Sequence, residues 1–225
     1  NAIGLETYAW FDYSTTSGTY GKVSSIQTVS GSSDTTVSIN ISGLSTATTY
    51  YYRITAQNNS GTTYGNEKTF TTSDTSAPTG SIIINGGATD TKSPTVTLTL
   101  SATDNLGVTG YYISTSSTTP TASASGWTSV TTTTSYSANV SYTLSSGDGN
   151  KTLHIWYKDN SGNVSSSASD SIILDMTAPT ITITSPTSDA TYTTSSSVMA
   201  IGGSGSDATS GISSVTWSND KGGNG

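Results

Sequence analysis

The sequence predicts an all-β chain built from tandem β-sandwich modules. Apolar and hydroxyl side chains alternate with period two in several segments, and no long segment shows the apolar period of a helix. The string "DTSAPT" at Asp74–Thr79 returns as "DMTAPT" at Asp175–Thr180, 101 positions later (175 minus 74). This spacing matches the length of one small domain, so the string indicates joints between repeated modules.

Four segments are predicted to be half-buried strands because their aliphatic residues fall on one face. They are "TTVSINISGL" (35–44), "SPTVTLTLSA" (93–102), "NKTLHIWYKD" (150–159) and "APTITITSPT" (178–187). In the third, Leu153, Ile155 and Tyr157 share one face, and His154 and Trp156 share the other.

The composition favours a folded chain with a hydroxyl-rich exterior. Ser and Thr fill 90 of the 225 positions, but 13 Tyr and 4 Trp are unusual for disorder. A net charge of −7 with scattered Lys and Arg argues against a nucleic-acid partner. The absence of Cys excludes disulfides, thiolate catalysis and Cys-bound zinc. No run of about 20 apolar residues predicts a membrane span, and no signal peptide is recognisable.

The internal repeat extends beyond the joint. "SATDNLGVTGYYIS" at Ser101–Ser114 aligns with "SGSDATSGISSVTW" at Ser204–Trp217, each with an Asp, a short turn, a Gly and a strand start. We therefore expect one complete sandwich over 76–175. Residues 177–225 are expected to be the start of a second, truncated copy.

The first segment resembles a fibronectin type III domain. "GLSTATTYYYRITAQNNSGTTYGNEKTFTT" at Gly43–Thr72 carries Leu44 and, six residues later, Tyr50, the spacing of that family's tyrosine corner. "ETYAWFDYSTTSGTYG" at Glu6–Gly21 looks like its third strand and turn. The resemblance implies a domain over 1–73 that lacks its first strands.

The middle module resembles the bacterial Ig-like repeats of large surface proteins. "GDGNKTLHIWYKDNSGNVS" at Gly147–Ser165 carries the match, with a Gly/Asp turn, an alternating strand and a hairpin. The resemblance implies an extracellular or cell-surface location, with neighbouring modules or further copies as partners.

Catalysis is not expected from this chain. His154 is the only histidine and lies mid-strand, where an outward-facing role is the simpler interpretation. A glycosidase needs two carboxylates flanking a cleft. Here Glu6 and Glu67 are the only glutamates, and the aspartates fall in turns.

A calcium site is the main chemical hypothesis, because Ca²⁺ accepts carboxylate and amide oxygens with flexible geometry. The candidate ligands lie at predicted loops and joints: Asp74, Asp104, Asp159, Asn160, Asp175 and Asp207. The alternative is turn capping, in which each Asp accepts nearby backbone N–H groups. The spacing of these residues does not match an EF-hand loop, so both calcium binding and turn capping stay open.

Glycan binding is a further hypothesis. Trp127 and Trp217 are the candidates for stacking on sugars, whereas Trp10 and Trp156 are expected to pack within sandwiches or over a sheet face. Four Asn-x-Ser/Thr strings, at Asn40, Asn58, Asn139 and Asn163, are possible glycosylation acceptors.

These observations predict a non-enzymatic structural or adhesive segment, such as a stalk, adhesin shaft or filament building block. The alternative is an accessory, glycan-binding region of a secreted polysaccharide-degrading enzyme. No cofactor is expected other than calcium. The missing strands are either donated by a neighbouring subunit or belong to a longer chain.

Overall fold

The computed structural model describes residues 6–31 and 33–218, and in these ranges the chain is all-β with almost no helix. The all-β prediction is confirmed. The chain divides into two compact units, Asn1–Ala77 and Pro78–Gly225, and the strands form three sheets. The boundary between the units falls inside the first "DTSAPT" string. The finer division into three modules stays a prediction.

The first unit is one antiparallel sheet. Its strands are β1 (Thr7–Ser14), β2 (Lys22–Val23), β3 (Gln27–Val29), β4 (Thr49–Asn58), β5 (Gly61–Tyr64) and β6 (Lys68–Thr71). Their order is β2-β1-β4-β5, with β3 also paired to β1 and β6 to β4. The register places Ala9 opposite Ala56 and Phe11 opposite Ile54, so one face is apolar.

The apolar face is organised around Tyr50, which is 1% exposed. Its ring stacks on Phe70 with 5.5 Å between centroids. Its hydroxyl accepts a hydrogen bond from the Ser45 backbone N–H at 2.9 Å. This hydrogen bond ties the ring to backbone five residues upstream.

The strand predicted at 35–44 does not form. Val37, Ile39 and Ile41 are half-buried and alternate with exposed residues, so the period-two pattern is present. However, the segment joins no sheet, and no backbone hydrogen bond links residues 36–44 to another described residue. Alternation therefore indicated the burial of these side chains correctly but overstated the pairing of their backbone.

The second unit contains the remaining strands. They are β7 (Thr79–Ile84), β8 (Asp90–Thr91), β9 (Thr95–Ser114), β10 (Thr128–Thr143), β11 (Gly149–Asp159), β12 (Ala168–Leu174), β13 (Thr180–Ser185) and β14 (Gly202–Ser206), with a 3₁₀ turn at Asn85–Gly87. The larger sheet has the order β10-β9-β11-β12-β8, with β7 paired to β9. β13 and β14 form a separate two-stranded sheet.

β9 is a single long strand where the sequence predicts two strands and a turn. Its first half pairs with β7 and its second half pairs with β11. Between the halves, Gly107 has a φ of 121°, a value that favours glycine because it has no Cβ. The predicted Asp-x-x-Gly turn is therefore a bend inside a continuous strand.

The core of the second unit is enclosed by the inward faces of β7, β9, β11 and β12. The predicted alternation of 93–102 and 150–159 is confirmed, because the apolar face of each segment is buried. The residues of the core are Ile82, Ile84, Val96, Leu98, Leu100, Ala102, Val108, Leu144, Leu153, Ile155, Tyr157, Ile172 and Leu174.

The strand predicted around Ile181 and Ile183 also forms, as β13. Its two isoleucines are not half-buried as expected, however, since they are 66% and 60% exposed. β13 pairs only with β14 among the described residues.

Within the described ranges, no helix has the length and apolar character required to cross a membrane.

Candidate cation site and aromatic surface

Two predicted ligands, Asp104 and Asp159, come together in the second unit. Asp159 ends β11 opposite Val108 of β9, and Asp104 lies at the bend of β9 just before Val108. One carboxylate oxygen of each residue lies within 4.8 Å of the other. The antiparallel pairing of β9 and β11 therefore builds the site.

Each carboxylate is oriented by local hydrogen bonds. Oδ2 of Asp104 accepts from the backbone N–H groups of Leu106 (2.9 Å) and Gly107 (2.7 Å). The two oxygens of Asp159 accept from the backbone N–H (2.8 Å) and the side-chain amide (2.7 Å) of Asn163. The turn-capping role that the sequence offers for these aspartates is present.

One oxygen at this site remains outside the capping pattern. Oδ1 of Asp104 is buried and has no hydrogen-bond partner among the described residues. The only ion pair in the described ranges joins Arg53 to Asp12, so no Lys or Arg forms an ion pair with Asp104 or Asp159. A divalent cation would satisfy the buried oxygen and screen the repulsion between two carboxylates.

Asp74 belongs to the first unit. Its Oδ1 accepts from the Ser76 backbone N–H at 3.0 Å, which forms a tight turn within "DTSAPT".

Two further predicted ligands, Asp175 and Asp207, share a donor. The Ser210 backbone N–H donates to Oδ2 of Asp175 and to Oδ1 of Asp207, at 3.0 Å each. The Thr209 and Gly211 N–H groups also donate to Asp207, and these backbone bonds lower the pKa of its carboxyl. At this joint the carboxylates are satisfied by backbone donors.

Sequence reasoning missed Asp148 at the same joint. Its Oδ1 accepts from the Met176 backbone N–H at 2.8 Å, and its Oδ2 accepts a short hydrogen bond from the Thr177 hydroxyl. The Thr177 hydroxyl first, and then the Met176 N–H, lower the pKa of Asp148. The only sequence signal was an Asp in a Gly-rich turn, which does not show that the turn contacts the linker.

Trp127 anchors the loop of residues 115–127 and is only half-buried. Its indole N–H donates to the Thr121 carbonyl at 2.9 Å, and the Lys158 ammonium lies 4.8 Å from the ring centroid. Its ring also makes an edge contact with Tyr112. These contacts use much of the surface that a sugar ring would need.

Trp156 is expected on the outer face of β11 and lies there, yet it is fully buried. Tyr112 makes edge contacts with both Trp156 and Trp127, so the 115–127 loop covers this face. His154 is half-buried beside Trp156, and its Nδ1 lies 3.3 Å from the Ser167 hydroxyl. No catalytic partner is arranged around His154 in these contacts.

Trp217, the second glycan candidate, is 51% exposed. It lines an open groove of about 510 Å³ together with Ile181, Ile183, Ile201 and Val215. This lining is more aliphatic than polar, whereas sugar sites combine a stacked ring with several hydrogen-bonding groups.

The first unit carries an aromatic cluster that the sequence did not indicate. The Arg53 guanidinium lies 4.0 Å from the ring centroid of Tyr20 and 3.9 Å from that of Tyr64. It also pairs with Asp12, Nε to Oδ2, at 3.3 Å. The Tyr20 hydroxyl donates to Glu67 at 2.6 Å and is the main cause of the lowered pKa of that carboxyl. The cluster fastens the outer face of this sheet.

A scan against protein-family models gives no match to this chain, and a search of curated proteins gives none either.

Proposed function

We propose that this chain is a non-enzymatic structural segment of an extracellular or cell-surface protein, built from fibronectin type III-like and bacterial Ig-like sandwiches in tandem. Its work is mechanical: it spaces and orients what lies on either side. The all-β architecture with several sheets supports this role.

The observation that carries the proposal is the hydrogen bonding of the "DMTAPT" joint. Asp148, in the body of the middle module, holds the linker residues Met176 and Thr177. Asp175, in the linker, holds Ser210 of the following segment. A linker bonded to the structure on both sides acts as a fixed spacer, and Pro179 further restricts its backbone.

The test measures the stiffness of this joint. The chain has no native Cys, so Thr131→Cys and Thr194→Cys place two spin labels at exposed positions on either side of the joint. We expect a narrow distance distribution by electron paramagnetic resonance. It should broaden in a variant that also carries Asp148→Ala and Asp175→Ala.

Asp189→Ala is the matched control, because Asp189 is exposed in the following segment and its carboxylate makes none of these bonds. A distribution that stays equally narrow without Asp148 and Asp175 would contradict the spacer function.

A second candidate function, cation binding that stiffens the array, is favoured by the buried, unpartnered Oδ1 of Asp104 beside Asp159. A ligand that binds only the folded state at 100 times its Kd stabilises it by about 2.7 kcal/mol. For a unit of this size, each kcal/mol corresponds to about 2–4 °C in Tm. Calcium should therefore raise the Tm of the second unit by several degrees over a chelator.

The Asp104→Asn variant separates this function from general salt effects. It removes one of two neighbouring like charges, so its Tm in chelator should equal or exceed that of the wild type. Its response to calcium should disappear, while the Asp189→Asn control keeps the full response. An identical wild-type melt in calcium and in chelator would exclude the cation site.

A further inference from the structure

The described part of the chain has several open backbone edges, and two of them, one in each unit, carry an Ile-x-Ile pattern. The first is the segment 36–44, whose backbone makes no hydrogen bond to another described residue. Val37, Ile39 and Ile41 are half-buried and the residues between them are exposed, as in an extended segment lying over a sheet. Its backbone N–H and C=O groups are therefore available to an added strand.

A groove lies between this segment and the sheet of the first unit. Its volume is about 270 Å³, and its walls include Ala9, Val37, Ile54 and Ala56. Ile54 is 36% exposed although it points to the same face as the buried Ala9. The groove therefore offers apolar side-chain sites next to the open backbone edge.

The second open edge is β13 in the second unit. It pairs with β14 along one side only, and every residue of β13 is exposed. Ile181 and Ile183 point to one face and Thr182 and Thr184 to the other. This is the alternation that a strand needs to pair by its backbone while inserting aliphatic side chains into a groove.

Both edges lack the charges that normally protect an edge strand. Proteins commonly place Lys or other charged residues on open edges to prevent pairing with another chain. Residues 35–44 contain no charged side chain and neither does β13, and Asp34 is the one charged residue that lines the groove. Pairing them therefore places no like charges opposite each other despite the net charge of −7.

We propose that β13 of one copy adds as a strand to residues 36–44 of a second copy and inserts Ile181 and Ile183 into the groove beside Ile54. Each copy has one donor edge and one acceptor edge, so the contact is heterologous and links copies head to tail into a ring or an open chain. This contact names the partner of the proposed structural segment as a second copy of the chain. Its biological use rests on the proposed function, but the contact itself does not.

The test uses sedimentation velocity of the full chain from micromolar to submillimolar concentration. The donor-blocked variant carries Ile181→Lys and Ile183→Lys, at side chains too exposed to contribute much to folding. The acceptor-blocked variant carries Ser38→Pro and Ile39→Pro, which remove adjacent amide donors from a segment without backbone pairing. Thermal melts verify that each variant is folded.

We expect the wild type to associate as concentration rises, and each blocked variant to remain monomeric. A mixture of the two variants should form dimers and nothing larger, because only one productive contact remains. The control Val198→Lys/Ile201→Lys removes exposed apolar side chains outside β13 and should still assemble.

A monomeric wild type at the highest concentration would overturn the proposal. So would assembly of the acceptor-blocked variant, because β13 would then be pairing with itself. The stiffness of the joint is measured as the distance between two labels on the same chain, at low concentration. A failure of the assembly test therefore leaves the spacer function standing, and a failure of the spin-label test leaves the assembly proposal standing.

Discussion

Gly80, the residue after the first "DTSAPT", should not tolerate a side chain. A Cβ at this position would lie 2.4 Å from Cε2 of Tyr157 and 2.5 Å from the Ser101 carbonyl oxygen. The carbonyl belongs to the strand pair β7–β9, so it cannot move away without disturbing the ladder. Gly80→Ala therefore forces the Tyr157 ring or the β7 backbone to shift.

The expected cost has two parts. Overpacking a tight core costs about 1–3 kcal/mol. The Tyr157 hydroxyl donates to the Ser81 carbonyl at 2.6 Å, and losing such a bond as the ring tilts adds about 1 kcal/mol. Gly80→Ala should therefore destabilise the second unit by about 2–4 kcal/mol, which corresponds to a fall in Tm of roughly 4–16 °C for a unit of this size.

Differential scanning calorimetry measures this shift, with Gly202→Ala as the control. A Cβ on Gly202 makes only ordinary contact with Ser185, at 3.4 Å, so the control should melt close to the wild type. If Gly80→Ala lowered the Tm no more than Gly202→Ala does, the packing argument for Gly80 would be refuted.

Three further outcomes are expected. Tyr50→Phe removes the hydrogen bond to the Ser45 N–H and should cost the first unit about 1 kcal/mol in denaturant unfolding, whereas Tyr51→Phe should have little effect. The hydrogen bonds from the linker lower the pKa of folded Asp148 below its ordinary value of 3.8, so their full stabilisation is present above pH 3.8 and is lost as the pH falls through the lower, folded pKa. The distance distribution between the spin labels should therefore broaden only at that acidic pH. Broadening at neutral pH would contradict this role of Asp148. The chain should not be retained on insoluble polysaccharides, and retention that disappears with Trp217→Ala would favour the accessory-region alternative.

Local alternation was enough to predict two of the strands that carry the core. Leu98 and Leu100 on β9, and Leu153 and Ile155 on β11, are buried as their period-two spacing indicates. Trp156 lies on the opposite face of β11 and is fully buried as well. A period shows which side chains share a face and says nothing about what lies over it.

The sequence was enough to predict which residues could form the candidate site, but not which of them lie next to each other. The aspartates were identified one by one, with capping and cation binding both left open. Asp104 and Asp159 come together only because β9 bends and then pairs with β11, a long-range register that no local motif encodes. Asp148 was missed for the same reason, since its partners Met176 and Thr177 lie in the linker, far along the chain from it.

The complete burial of Trp156 under the 115–127 loop gives the molecule an intrinsic optical reporter. An indole shielded from water emits at shorter wavelength than an exposed one, and Trp217 supplies an exposed ring in the same unit for comparison. Opening of the loop would admit water to the Trp156 N–H and shift its emission to the red before the core unfolds. Any opening of this loop can therefore be followed in the unlabelled protein, at concentrations low enough to keep copies apart.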